Sequence, residues 1–186
     1  MSGKPAVFLD RDGVLNESFV GADGVPRPPA GLAEFRLAAD AVAACVRLGE
    51  LGFVRIVVTN QPDVARGAQK REVVEAIHET LRASLEIDDI RTCYHDDGDM
   101  CDCRKPKPGL LESAARDWQI DLTASYMIGD RWRDVEAGRR AGCATILIGT
   151  HEARPLTVEP DLRVDSLGAA VRWIGERVRH EAGAAR

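Results

Sequence analysis

Short apolar runs rich in β-branched residues alternate along this chain with longer stretches of helical period, and that alternation limits the fold more than any other feature. The runs cover residues 7–9, 53–58, 90–94, 126–128 and 145–148. Between the first two, residues 37–51 carry Ala41, Val42, Cys45 and Leu48 at helical spacing and end at Gly49 and Gly52, residues suited to a helix C-terminus. Residues 69–85 repeat the pattern through Val73, Val74, Ile77 and Leu81. Three more helices are expected: from Pro108-Gly109 to Trp118, over 132–141, and from Ser166 to about Val178, with 181–186 as a frayed tail. Parallel strands need crossover connections, so this order predicts a three-layer α/β domain with a central, mostly parallel sheet. At 186 residues and 45% hydrophobic content, 1–186 suits one such domain with a substantial core. No internal repeat is visible.

Composition removes some functions. A formal net charge of −5 and a pI near 5.4 argue against a dedicated nucleic-acid binder, which must neutralise many phosphates. No apolar stretch approaches membrane-spanning length and none resembles a signal core, so no membrane partner and a cytoplasmic location are expected. Composition does not choose between a monomer and a weak homodimer.

In an open α/β sheet, ligands bind beyond the carboxyl ends of the strands, and a parallel sheet brings those ends to one edge. The first strand ends in Asp10-Arg11-Asp12-Gly13 and the second in Thr59-Asn60. The third leads through a cysteine-rich segment to Arg104-Lys105-Pro106; the fourth ends in Gly129-Asp130, with Asp134 beyond. Together they supply two carboxylates for nucleophilic and proton-transfer work, a hydroxyl and an ammonium for phosphate oxygens, and further acids for a divalent cation. Phosphoryl transfer needs those parts, because its transition state spreads negative charge over oxygens that cations and donors must balance. Taken singly, each has a plainer reading: Asp, Gly and Asn favour turns, and Thr59 suits a strand. Lys107 competes with Lys105, although Pro106 and Pro108 would stiffen the approach of Lys105 to the next helix.

Two segments resist the regular scheme, 16–35 and 93–109, and long irregular loops are usually functional or constrained. The second holds Cys93-x-His95 and, five residues on, Cys101-x-Cys103. Alternate residues of extended chain point the same way, so each pair can pinch one ion, and the four match tetrahedral structural zinc. Cys45 and Cys143 read as small core residues. His78, His151 and His180 show no partner pattern.

In order, Asp10-x-Asp12-Gly13, Thr59, Lys105 and Gly129-Asp130-x-x-x-Asp134 resemble the four motifs of the haloacid dehalogenase (HAD) superfamily of phosphatases, across most of the chain. The resemblance implies a Rossmann-like fold in which Asp10 attacks phosphorus to form an aspartyl phosphate. Asp12 would protonate the leaving oxygen and then deprotonate the hydrolytic water. It also implies Mg²⁺ held by Asp10, the backbone carbonyl of Asp12 and Asp130, with Asp134 orienting the lysine or a metal water from outside the ligand set.

The zinc loop joined to Cys103-Arg104-Lys105-Pro106-Lys107-Pro108-Gly109, with Asp10 to Asn16 and Thr59-Asn60-Gln61, is similar to one family. That family comprises the D-glycero-D-manno-heptose 1,7-bisphosphate 7-phosphatases and histidinol-phosphate phosphatases, which lack a large cap domain. The similarity makes Lys105 the motif lysine and implies a small phosphorylated metabolite, foremost a heptose bisphosphate, with histidinol phosphate the alternative. It places Arg104 and Lys105 against the substrate, with Asn16, Thr59, Asn60, Gln61 and Arg131 also facing it. The Arg104 fork suits a second phosphate or sugar hydroxyls, and its plainer reading is a surface arginine balancing Asp102. A phosphoacceptor signalling domain is the alternative of another class, and Asp12 argues against it, since a stable phospho-aspartate does not want a general base beside it. The chain departs from the family at Pro62-Asp63, where Ser-Gly is usual, and at Tyr94 and Asp96. Asp63 would either repel a second phosphate or cap the following segment, and the unmatched loop 21–30 would border the entrance.

Overall fold

All four residues of β1 (Ala6–Leu9) are buried, which is why the strand reads as a continuous apolar run rather than as an alternation. The computed structural model describes residues 3–20, 26–149 and 158–184. After β1, a two-residue-per-strand hairpin, β2 (Phe19–Val20) and β3 (Pro26–Arg27), lies within the Gly- and Pro-rich segment. Then come α1 (Ala41–Glu50), β4 (Val54–Asn60), α2 (Arg71–Ser84), β5 (Asp89–Cys93) and α3 (Gly109–Trp118). The chain closes with β6 (Tyr126–Gly129), α4 (Trp132–Ala141), β7 (Ala144–Ile148), β8 (Leu162–Val164) and α5 (Leu167–Ala184).

Six strands form one sheet in the order β5-β4-β1-β6-β7-β8, and every pairing in it is parallel. Alternate β1 residues serve opposite faces. Val7 and Leu9 join a core with Ala41, Cys45 and Leu48 of α1, Ile77 and Leu81 of α2, and Leu167, Ala170 and Ile174 of α5. Ala6 and Phe8 join a second core with Leu110, Leu111 and Ala114 of α3 and Ala137 of α4. This is the expected three-layer α/β arrangement. From the central β1 the chain turns first to β4 on one side and later to β6 on the other, so a crevice opens at the carboxyl ends of these three strands.

Several boundaries differ from expectation for local reasons. The first helix starts at Ala41 rather than at 37, because Leu37 is drawn into a bridge with Asn16. Asp40 does not cap α1 with its side chain; its carboxylate accepts the Gly168 N–H at 2.6 Å and ties α1 to α5. Strand β4 runs on to Asn60, and β5 stops at Cys93, its partner in register, leaving Tyr94 outside. The three-residue edge strand β8 was not expected; with Arg163 exposed at its middle it carries no apolar run. The last helix continues past 178, so Glu181 to Ala184 are helical rather than frayed. His151 lies outside the described residues. Among the described residues, no helix is long and apolar enough to cross a membrane.

Candidate active site

Asp10 leaves β1 directly into the crevice, its N–H still bonded to Ile128 O of β6 at 2.9 Å. Its Oδ1 accepts the Arg11 backbone N–H at 2.8 Å and lies 2.9 Å from Lys105 Nζ. Both contacts fall on one oxygen, which leaves Oδ2 for chemistry. Burial, reinforced by the neighbouring charges of Asp134 and Asp12 and opposed by Lys105, pushes the Asp10 carboxyl up to about 6. Lys105 is itself 2% exposed and reaches Asp134 Oδ1 at 2.6 Å and the Val58 carbonyl at 2.7 Å. Burial works against the ammonium, but the charges of Asp10 and Asp134 outweigh it and hold its pKa above the usual lysine value. The spacing in Gly129-Asp130-x-x-x-Asp134 has a local cause: at the start of α4, Asp134 reaches back to the Arg131 N–H through Oδ2 (3.1 Å), leaving Oδ1 for the lysine. A side chain at Gly129 would collide with Asp134, and one at Gly13, where φ is +84°, would collide with the Asp130 carboxylate.

These residues fit a divalent cation. Carboxylate oxygens of Asp10, Asp130 and Asp134 lie within 4.8 Å of one another. Asp130 Oδ1 is buried without a hydrogen-bond partner, and burial beside the Asp10 and Asp134 charges pushes Asp130 up to about 8. A hard cation would relieve that crowding. Both Asp134 oxygens are already engaged, by Lys105 and by the Arg131 amide, which suits it to orientation rather than to direct ligation.

Asp12 is held from several directions. Gln61 Nε2 donates to its Oδ2 at 2.8 Å and Asn16 Nδ2 to its Oδ1 at 3.0 Å, while Arg11 grips both oxygens. Asn16, expected to face substrate, is therefore fully buried beneath the acid and does not line the cavity. Its second amide bond goes to the Glu17 carbonyl, and the Asn16–Leu37 bridge keeps it inside. Thr59, also expected to face the substrate, is 1% exposed and stands behind Gln61 rather than in the cavity lining; its Oγ1 accepts from Gln61 Nε2 at 2.8 Å, so the hydroxyl proton is left to donate. Asn60 does line the cavity, but its amide pins Lys105, donating to the Lys105 carbonyl and accepting its N–H.

The cavity is about 330 Å³, with Asp10, Asp12, Gln61 and Lys105 meeting a wall of Arg27, Arg66, Arg104, Arg131 and Arg133. Arg104 and Arg131, both expected to face the substrate, line this cavity. Arg27, Arg66 and Arg133 were not singled out from sequence, and no spacing marks them. Arg104 is positioned by the cysteine-rich loop, donating to Asp97 Oδ1 at 2.8 Å and to the His95 carbonyl at 3.3 Å, rather than balancing Asp102. Burial together with the charges of Arg104, Arg131 and Arg66 pulls the Arg133 guanidinium below its usual pKa, against the pull of Asp97. Asp63, Asp96, Asp97 and Asp130 pair with members of this wall, Arg66 with Asp96 at 2.5 Å, but Arg104 and Arg133 share the one Asp97, so arginine is in excess and an anion is favoured. Asp63 neither opposes one unpaired nor caps the next segment with its side chain: its Oδ1 lies 3.3 Å from Arg66. Lys107 turns away to the Cys101 carbonyl (2.6 Å) and Asp102, so that of the two lysines Lys105 lines the cavity. Of the loop 21–30, Pro28 reaches the cavity with Arg27, and residues 21–25 lie outside the described set.

Cys93 Sγ lies 3.8 Å from Cys101 Sγ and 3.3 Å from Cys103 Sγ, and His95 Nδ1 lies 3.3 Å from Cys103 Sγ. Ligands about 2.3 Å from a tetrahedral zinc are separated by about 3.8 Å, so the four residues can hold that ion with little movement. Cys45 and Cys143 are buried in the two cores, as expected. Because Arg104 hangs from this loop, Cys103→Ser is expected to release the zinc, about one per chain in the parent protein. It should also raise KM about tenfold while kcat changes less, as for a lost supporting shell. Metal analysis and steady-state kinetics on the same preparations check both.

The HAD-hydrolase-like family matches residues 102–170. The chain is 34% identical to the D-glycero-beta-D-manno-heptose-1,7-bisphosphate 7-phosphatase of Yersinia pestis, over 87% of this chain and 88% of that one. It is 37% identical to the protein of the same name from Rhodopseudomonas palustris, over 75% and 80%. Among solved structures, D,D-heptose 1,7-bisphosphate phosphatase from B. bronchiseptica, complexed with magnesium and phosphate, aligns with a TM-score of 0.79 at 30% identity. The alignment covers 93% of this chain and 99% of that one.

Proposed function

The chain belongs to the HAD-like phosphatase family of the heptose-1,7-bisphosphate 7-phosphatases, and on that premise we propose that it removes the 7-phosphate of a D-glycero-D-manno-heptose 1,7-bisphosphate. The observation that carries this reading is the pairing, in one cavity, of the Asp10–Lys105 centre with a wall of five arginines. One anion can sit over Asp10 while a second meets the wall. Histidinol phosphate carries a cationic amine at its other end, which that wall disfavours.

In this reading Asp10 attacks phosphorus as the bond to the sugar oxygen breaks, giving an aspartyl phosphate. Asp12 delivers its proton to the departing oxygen, then takes a proton from the water that attacks phosphorus and frees Asp10. Lys105 and the Thr59 hydroxyl meet phosphate oxygens, and Lys105 keeps Asp10 ionised despite its burial. Asn16, Asn60 and Gln61 hold the acid and the lysine loop, and Arg104 and Arg131 receive the rest of the substrate. Asp10, the Asp12 carbonyl and Asp130 would hold Mg²⁺, which supplies positive charge against the phosphate oxygens when bound.

A panel of phosphate esters assayed by released phosphate tests the substrate. The heptose bisphosphate is expected to exceed histidinol phosphate by about 100-fold or more in kcat/KM, the scale of a charge mismatch of a few kcal/mol. Histidinol phosphate ahead of every sugar phosphate would refute the assignment.

A further inference from the structure

Beneath Asp12 runs a chain of polar side chains that the phosphoryl-transfer reading does not use. Arg11 is fully buried, and its Nη2 lies 3.1 and 2.9 Å from the two Asp12 oxygens, with Nε 3.2 Å from Oδ1. Its remaining nitrogen, Nη1, is 3.2 Å from His78 Nε2. Arginine only donates, so Nε2 is the acceptor and the proton of the neutral ring resides on Nδ1, 3.5 Å from Glu75 Oε2. Burial first, and then the Arg11 charge, push His78 down to about 4, which keeps the ring neutral. The other Glu75 oxygen accepts the Tyr94 hydroxyl at 2.5 Å, and Tyr94 sits between Cys93 and His95 of the cysteine-rich loop.

We propose that Arg11 and His78 are positioning residues for the general acid Asp12, with Glu75 fixing the imidazole and Tyr94 anchoring the chain to the metal-binding loop. The proposal rests on the reading of Asp12 as the acid. Its physical content is aim. A carboxyl that must place a proton on the departing oxygen loses much of its effect when displaced by a fraction of an ångström. A guanidinium spanning both oxygens fixes the carboxyl plane, and a guanidinium with no acceptor at Nη1 would be free to pivot. His78 supplies that acceptor from α2, on the opposite side of Arg11 from the reaction. Each proton has a place: the one Asp12 gives up goes to the leaving oxygen as the Asp10–phosphorus bond forms, and no proton moves along Arg11 and His78.

A poorly aimed acid harms only esters whose leaving group needs a proton. His78→Leu is therefore expected to lower kcat/KM for a sugar phosphate at least about tenfold, within the range supplied by general-acid catalysis. The same variant should change kcat/KM for 4-nitrophenyl phosphate, whose leaving group departs without a proton, by less than about threefold. His78→Gln, whose amide oxygen can accept from Arg11, should recover most of the loss. Equal losses on both esters, or none, would overturn the proposal. Asp12→Asn run in parallel separates the two levels: leaving-group-selective loss there with none in His78→Leu rejects only the positioning role. Equal loss in Asp12→Asn itself rejects the acid, and the proposal with it. If leucine at 78 prevents folding, Glu75→Ala at a half-exposed position carries the same comparison, with selective loss in support and uniform or absent loss against.

Discussion

Asp10→Asn is expected to abolish turnover, by about 10⁴-fold or more, and to leave the fold intact or slightly more stable. Asparagine keeps the shape and can still accept the Arg11 N–H on its amide oxygen, but it cannot attack phosphorus. The stability half follows from the same site. Burial pushes Asp10 up to about 6, so the folded protein disfavours the charge it needs for chemistry. Removing that charge leaves Lys105 with Asp134 at 2.6 Å and the Val58 carbonyl at 2.7 Å. Phosphate release and thermal melting of one preparation read both effects. More than a tenth of the parent turnover would contradict the role given to Asp10.

Lys105→Met should damage both activity and stability. It leaves Asp10 and Asp134 buried without their cation, and breaking a buried pair by removing one partner costs about 3–5 kcal/mol. For a chain of this length that corresponds to a fall of about 6–20 °C in Tm. Turnover should drop about 10³-fold or more, since the lysine both balances phosphate charge and keeps Asp10 ionised. The deficit has a definite pH dependence. Without Lys105 the folded-state pKa of Asp10, already raised by burial, rises further, so the folded variant binds a proton that its unfolded chain does not. The lost stability is then greatest at neutral pH and above, and shrinks as the pH falls and Asp10 protonates. A variant melting like the parent at pH 8 would show that Asp10, Lys105 and Asp134 are not the buried, mutually dependent unit described.

Much of this was legible in the sequence because it depends on short-range pattern. The apolar runs that became β1, β4, β6 and β7 are mostly buried in a parallel sheet, where periodicity and length carry strong signals, and edge strand β5 still buries Ile90 and Cys93. The strand-end acids and Lys105 were readable because the sheet brings strand ends to one edge, and the Cys93, His95, Cys101 and Cys103 cluster because it lies within one short segment. What was missed depends on tertiary contact. Strand β8 is three residues long on an edge, too short to declare itself. Asn16 carries a motif position, yet nothing local says that its amide turns inward to Asp12. Arg27, Arg66 and Arg133 meet Arg104 only in space. His78 had one usable signal: with Val74, Ile77 and Leu81 it falls on the buried face of α2, where a histidine needs a partner. That partner, Arg11, lay hidden between two aspartates whose own chemistry drew attention. Tyr94, a departure from the related family, acquires a structural purpose through Glu75.

Covalent capture tests the central claim, phosphoryl transfer through Asp10, most directly. In Asp12→Asn the base that releases the aspartyl phosphate is missing, whereas 4-nitrophenyl phosphate can still donate its phosphoryl group without a general acid. Acid quenching of that variant with Mg²⁺ and 4-nitrophenyl phosphate, followed by peptide mass spectrometry, should find a hydroxylamine-labile phosphoryl group on Asp10. A phosphoryl group on any other residue, or 4-nitrophenol released in multiple turnovers with no covalent adduct, would contradict it.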